Sequence, residues 1–335
     1  MKAEIIDPRV EPVPEAWEKL RTAEGLSDAW NPRALSALAW TSPWTVYLGL
    51  VFDKDTPVGL FVGDFGRYHR LKTEYARPGR PSFGFYFCRL LAGFNQGFAF
   101  DGALNDDDRR RACRAFELAL RKRLGLRCFG IVYCDVTEES VGLVDGWFRL
   151  SRPVAPNVVL RNTWQDMDAY FADLPRSRRR TFGNIYRRVN ESHEVEAIGG
   201  LNSIDPAQAS RLEAAIRRKY LPKRGTLFPV PHHYFSQLNG QPSVRYFTHR
   251  IPKSNILESF DLSFIDNGAM YCTFTGSRES PMGKRLQLYH DQYLRQISFM
   301  IEHGLHTIEF GKGMIELKER FGCVQSPQFA VAAAF

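Results

Sequence analysis

The sequence predicts an α+β protein made of two halves, each a central, mostly antiparallel sheet flanked by helices. Three observations carry this. Two tight turns, Asp53-Lys54-Asp55 and Asp266-Asn267-Gly268, each join runs of alternating apolar residues and so read as β-hairpins. Segments with 3.6-residue periodicity lie between the strands. Both halves also follow roughly the same order of helix, antiparallel strands, helix, strand. At 335 residues the chain suits two domains of roughly 150 residues each.

In the first half, residues 14–38 read as helical with two turn-rich interruptions. TVYLGLVF and PVGLFVG form the first hairpin, and SFGFYFCRLLAG and GFAF read as further strands. NDDDRRRACRAFELALRKRLG carries the clearest helix signal. Asn105 caps it, Asp106 to Asp108 sit at the positive end of its dipole, Arg121 to Arg123 sit near the negative end, and Gly125 stops it. CFGIVYCDV then reads as a buried strand. SRPVAPNVVL, with two prolines, marks the boundary between domains spanning 1–155 and 156–335.

In the second half, TWQDMDAYFADLP is helical and leads into LPRSRRRTFGNIYRRV. SIDPAQASRLEAAIRRKYL is a helix capped by Asp205 with Pro206 in its first turn. SVRYFTHR, ILESFDLSFI and AMYCTFTGS are strands, residues 286–303 a helix, and LHTIEF a strand. No internal repeat or low-complexity tract is present.

A net charge of +8 and a pI near 9.2 favour an anionic partner. The six cysteines form no CxxC pair and no zinc spacing, which predicts reduced, buried thiols. His232-His233 has no third ligand in view, so no metal is expected. MKAEIIDPRV lacks a signal-peptide profile, and FYFCRLLAGFNQGFAF is too polar and too short to span a bilayer. A cytoplasmic protein without a membrane partner is the expectation.

Residues 174–189 hold six arginines and no acid. Projected as a helix, Phe182, Ile185, Tyr186 and Val189 share one side. Arg176, Arg180 and Arg187 lie opposite, Arg179 and Arg188 flank them, and Arg178 alone falls on the apolar side. Two readings stand: a solvated face, or a grip on phosphate. Arginine in place of lysine and the absence of local acids favour phosphate, and Gly183 on the basic side leaves room for an anion near the backbone. Arg217 to Lys219, Lys223 and Arg224 add a second basic cluster. Near the C-terminus a strand ends in Glu309, Gly311-Lys312-Gly313, Lys318 and Phe321-Gly322. By spacing alone this is either a plain turn or a place where a ligand approaches the backbone.

Taken together, YFADLPRSRRRTFGNIYRRV and YLRQISFMIEHGLHTIEFGKGMIELKERFG resemble the Fem-type, CelD-like branch of the GNAT acyltransferase superfamily, over about residues 160–325. The resemblance implies tandem GNAT-like domains and an enzyme that joins an acyl or aminoacyl group to an amine as an amide. It implies no permanently bound cofactor, with aminoacyl-tRNA or acyl-coenzyme A as co-substrate. By the Fem pattern Lys318 lies near the donor's phosphate and the developing charge, and Arg176, Arg178, Arg179, Arg180, Arg187 and Arg188 hold phosphates. A coenzyme-A-binding GNAT has (Q/R)xxGx(G/A) after its fourth strand. Here the loop is SRESPMGKRLQ, whose Arg278, Lys284 and Arg285 can still hold a phosphate although the glycine spacing differs. That departure favours tRNA as donor, and the missing coiled-coil arm of peptidoglycan-type enzymes favours a small-molecule amine as acceptor. Backbone N–H groups around Phe274, Thr275 and Gly276, with those of Gly311 and Gly313, are the expected oxyanion and donor contacts. Glu309 is the first candidate base, ahead of Tyr289 and His290. Two readings compete with tRNA-dependent transfer: transfer from acyl-coenzyme A, and a non-catalytic protein that binds RNA or another polyanion.

Overall fold

The computed structural model describes residues 1–66, 76–78, 83–93, 95–199, 202–220, 229–278 and 287–335. The chain forms two compact units, one comprising Met1–Pro156 with the C-terminal Pro327–Phe335, the other built from Asn157–Lys223 and Pro229–Ser326.

The first unit runs β1 (Lys2–Ile6), α1 (Glu15–Ala23), α2 (Pro32–Trp40), β2 (Thr45–Asp53), β3 (Thr56–Gly66), β4 (Gly84–Cys88), β5 (Phe98–Phe100), α3 (Asp106–Leu124), β6 (Cys128–Thr137) and α4 (Glu138–Val144). Its sheet has the order β1-β2-β3-β4-β6, antiparallel except for the β4–β6 pair. The expected hairpin is β2–β3. Asn105 accepts from the Asp108 N–H at the start of α3, and Gly125 ends the helix at φ +59°. The α3 ring of Phe116 stacks on Phe61 at 4.1 Å between centroids, which anchors the helix on the sheet.

The two-proline segment read as a boundary is a strand, β7 (Arg149–Arg161), and the chain passes from the first unit to the second within it, after Pro156. Pro153 and Pro156 remove two donors without stopping the extended backbone.

The second unit continues with α5 (Met167–Asp173), α6 (Arg176–Ser192), β8 (Glu194–Gly199), α7 (Pro206–Tyr220), α8 (His232–Leu238), β9 (Val244–Arg250), β10 (Leu257–Asp266), β11 (Ala269–Ser277), α9 (Leu288–Glu302), β12 (Thr307–Glu309) and α10 (Ile315–Glu319). Its sheet has the order β7-β12-β11-β10-β9-β8, and only the β11–β12 pair is parallel. α6 and α9 cover one face through Phe182, Ile185, Val189, Leu294 and Ile297, which pack with Phe247, Met270 and Ile308 of the strands. α7 and α8 cover the other face, where Phe235 meets Phe260 and Tyr234 meets Phe274.

The last strand, β13 (Val324–Ala334), was not expected, because its run of small alanines shows no alternation. Its residues Gln328–Ala334 pair antiparallel with β6, so the final nine residues belong to the first unit although the sequence assigns them to the second half. The cysteines are all free thiols, four of them buried. Among the described residues no helix is long and apolar enough to cross a membrane.

Candidate functional site

The second sheet opens at one place. β11 and β12 pair in parallel only over Ala269–Tyr271 and Thr307–Glu309. β11 then continues to Ser277 along β10, whereas the chain after Glu309 turns away, the Phe310 N–H donating to Val158 O. The two strands therefore part, and β11 beyond Tyr271 presents an edge that no described strand pairs with on that side. Backbone donors on such an edge must find a ligand, water or side chain.

The turn beyond β12 is built from left-handed residues: Gly311 at φ +71°, Gly313 at +85° and Met314 at +48°. The two glycines take this backbone without strain, whereas Met314 does not. The turn brings Lys318 of α10 back beneath it. Lys318 is only 4% exposed, and its Nζ donates to Phe310 O at 2.6 Å and Gly311 O at 2.8 Å. Burial pushes its pKa down to about 8, although the Cys272 and Cys323 thiols beside it pull the other way. The ammonium thus sits at the root of the opening, tied to the carbonyls of the strand that has turned away.

α9 supplies the roof. The Tyr289 hydroxyl lies 2.7 Å from that of Tyr293 and 3.2 Å from the Met314 sulfur. The Tyr293 ring packs on Phe310 and Phe321 at 4.9 and 5.0 Å, and burial pushes its pKa up strongly. His290 lies against Phe321, and burial, with Arg320 nearby, lowers its pKa.

The arginine helix meets this region directly. Phe182 stacks flat on Phe321 at 4.3 Å, and Arg178 donates to the carbonyls of Glu319 and Arg320, at the end of the short helix that carries Lys318. Arg178, the arginine that fell on the apolar side, thus acts as a C-terminal cap for α10. Arg179 caps α5 through Ala172 O and Leu174 O, and Arg187 donates to Asn184 Oδ1. Arg176, Arg180 and Arg188 are exposed, and no described residue pairs with their guanidinium groups. A Cβ on Gly183 would meet nothing within 4 Å, so packing does not require that glycine.

The remaining candidates fall apart from one another. Strand alternation puts Ile308 and Phe310 on the α9 face, so Glu309 faces the opposite side from Tyr293, between Asn157 and Tyr271. Asn157 Nδ2 donates to Glu309 Oε2 at 2.5 Å, while burial raises the Glu309 pKa to about 7. Phe274 and Thr275 lie on the unpaired part of β11. Gly276 is there for packing, since a Cβ would lie 2.8 Å from Leu212 Cβ and strike the Phe260 ring. Arg278 is exposed just beyond β11, while Lys284 and Arg285, like Lys223 and Arg224, lie outside the described residues. Among the described residues no cluster of His, Cys, Asp and Glu could hold a metal ion.

Sequence reading missed two features. One is a buried polar network under α9. His249 Nε2 lies 2.7 Å from Asp291 Oδ2 and its Nδ1 2.8 Å from Ser259 Oγ, and Arg295 donates to both Asp291 oxygens and to Tyr186 O. The Arg295 guanidinium also lies 3.7 Å from the Tyr186 ring centroid. His193 pairs with Glu258 at 2.8 Å in the same layer. Ser259, His249 and Asp291 have the order of a catalytic triad, yet they are at most 1% exposed. They tie α9 to β9 and β10, and Arg295 extends the network to α6 through Tyr186 O. The other missed feature is Asp261 on β10, opposite Thr275.

No family model matches the sequence, and no curated protein does. Solved structures do match. L-PGS from Bacillus licheniformis shares 11% identity at a TM-score of 0.61, over 96% of this chain and 92% of that one. FemX shares 12% at 0.61, over 100% and 98%. The C-terminal domain of a lysylphosphatidylglycerol synthetase candidate from Agrobacterium fabrum shares 10% at 0.57, over 95% and 91%. At these identities the likeness is one of fold. The chain shares its fold with FemX and L-PGS, the kind of fold that the sequence resemblance implied.

Proposed function

We propose that this protein is an N-acyltransferase of the Fem kind, which forms an amide between an activated aminoacyl group and a small-molecule amine, with aminoacyl-tRNA as donor. The observation that carries this reading is the parting of β11 from β12 with the Lys318 ammonium at its root. Amide formation from an ester needs a neutral amine aligned on the carbonyl and donors for the oxyanion. The unpaired edge of β11 around Phe274 and Thr275 supplies backbone donors. Lys318 supplies positive charge where the tetrahedral intermediate and the leaving oxygen develop negative charge. The amine nitrogen forms the C–N bond, the ester C–O bond breaks, and the departing ribose oxygen takes the proton that nitrogen gives up.

The exposed Arg176, Arg180 and Arg188 of α6, with Arg278 beyond β11, are the phosphate contacts of this reading. The name lysylphosphatidylglycerol synthetase describes an aminoacyl group joined to an acceptor, which supports aminoacyl chemistry on this fold. The binding-only reading gains nothing from a cation buried beneath the sheet, because a polyanion needs exposed charge.

The test is Lys318→Ala. Loss of a charge that acts on the transition state is expected to lower turnover by about 100-fold or more while leaving donor affinity nearly unchanged. Circular dichroism and the unfolding midpoint check that the variant folds. Unchanged turnover would remove Lys318 from the chemistry.

A further inference from the structure

We infer that Asp261 is a recognition site for a primary ammonium group, a role that rests on the transfer reading above and gives its substrate side a residue. Asp261 lies in the middle of β10, a position normally filled by an apolar or hydrogen-bonding side chain. Its neighbour across β9 is Phe247, part of the core beneath α9, whereas Phe260 and Leu262 on either side point to the opposite face. Asp261 therefore shares a face with Tyr293, Cys272 and Lys318, the same face on which the sheet opens. It is partly exposed.

What sets Asp261 apart is the company it lacks. The buried acids each have a basic partner, whereas Glu309, partly exposed like Asp261, accepts a hydrogen bond from Asn157. Asp7 pairs with Arg9, Asp28 with Arg21, Glu213 with Arg217, and Glu117 with Arg149. Asp291 holds Arg295 and His249, and Glu258 holds His193. Among the described residues no cation pairs with Asp261. Its polar neighbour is Thr275, and the titratable groups facing it are the Cys272 thiol from β11 and the Tyr293 phenol from α9, both held neutral by burial. Burial accordingly raises the carboxyl pKa to about 8. A buried carboxylate is costly unless it is paired, and Asn at this position would fill the same space without that cost. A carboxyl with no cation among the described residues, on the α9 side of the sheet and beside a lysine that is already committed to backbone carbonyls, is complementary to a cation brought by the substrate. In amide formation two groups qualify, the acceptor's amine and the α-amine of an aminoacyl donor. Both are primary ammonium ions before reaction.

The experiment measures binding and transfer separately. Binding of 1,5-diaminopentane, n-hexylamine and L-lysinamide, with n-hexanol as the uncharged control, is followed by calorimetry on the full chain at pH 8.5. Wild type, Asp261→Asn and Lys318→Ala are compared. At least one amine is expected to bind wild type and Lys318→Ala alike, and at least tenfold more weakly to Asp261→Asn, with hexanol unaffected. Equal binding to wild type and Asp261→Asn would overturn the assignment, as would failure of every amine to bind. Unfolding midpoints show that Asp261→Asn folds.

In the transfer arm, a tenfold rise in KM for the amine assigns Asp261 to the acceptor. Loss of discrimination between aminoacyl-tRNA and N-acetylaminoacyl-tRNA assigns it to the donor. If neither changes, Asp261 does not recognise an ammonium. If amines bind through Asp261 but neither aminoacyl-tRNA nor acyl-coenzyme A yields an amide, the ammonium site stands and the transferase reading falls.

Discussion

Lys318 and Asp261 illustrate how one face of a sheet holds two ionisable groups that its core would otherwise exclude. The Lys318 pKa, lowered to about 8, leaves the ammonium mostly protonated at pH 7, and the charge is lost as pH rises through 8. Turnover limited by that charge therefore declines above about pH 8, and a pH–rate profile checks this. A rate that continues to rise beyond pH 9 would contradict a charged Lys318. For Asp261 the shift is from 3.8 to about 8, so the native state holds its proton more tightly than the unfolded chain does. Its stabilising effect is complete below about pH 4 and is lost as pH rises toward 8. Replacement of Asp261 by Asn is thus expected to stabilise the protein by about 1–2 kcal/mol at pH 8.5, discounted for partial exposure, and to have little effect at pH 4. Urea unfolding at the two pH values measures it. The sequence resemblance singled out Lys318, and the structure places it buried at the turn after the glycine-bearing strand. Asp261 was not legible, since in FDLSFI it looks like one polar residue in an alternating strand. Only the register shows that its face is the buried one and that no cation accompanies it.

The arginine helix α6 is an element whose two faces perform different tasks. Phe182, Ile185 and Val189 are buried, as the helical projection required. The Phe182–Phe321 stack fixes the loop after Lys318, so Phe182→Ala is expected to cost about 3–5 kcal/mol and to lower turnover through a displaced α10. Chemical denaturation and steady-state kinetics on the same variant report both effects. The buried Asp291 joins α9 to α6 through Arg295, and Asp291→Ala would strand a buried arginine at a cost of about 3–5 kcal/mol. On the outer face, replacing Arg180 and Arg188 together should weaken donor binding and flatten its salt dependence by roughly one unit of slope per lost phosphate contact. An unchanged slope would return these residues to the status of a solvated surface. The helices and hairpins of the second half were legible because they carry caps, periodicity and turn chemistry. β8 and β13 were not: one is short with a single buried residue, the other alanine-rich, and each owes its form to the strand beside it. The prolines at β7 marked where the units divide but gave no sign of the strand, because local composition does not reveal that a neighbouring strand is waiting.

At the scale of the whole chain, the two halves fold as units of the expected kind, with the last strand returned to the first. The matches to L-PGS and FemX extend over nearly the full length at 11–12% identity, so what is shared is the arrangement of backbone. The individual side chains decide donor and acceptor. The proposed donor rests on the sequence of the loop after β11, whose glycine spacing differs from that of a coenzyme A site, and on Arg176, Arg180 and Arg188 of α6, with which no described residue pairs. The most direct test of the central claim is single-turnover transfer of radiolabelled aminoacyl groups from a total aminoacyl-tRNA pool to a panel of primary amines, with acetyl-coenzyme A run in parallel. Wild type is predicted to move label from tRNA into amide, and Lys318→Ala to do so about 100-fold more slowly or worse. Amide formation that is equal in the two proteins, or absent with both donors, would contradict the account.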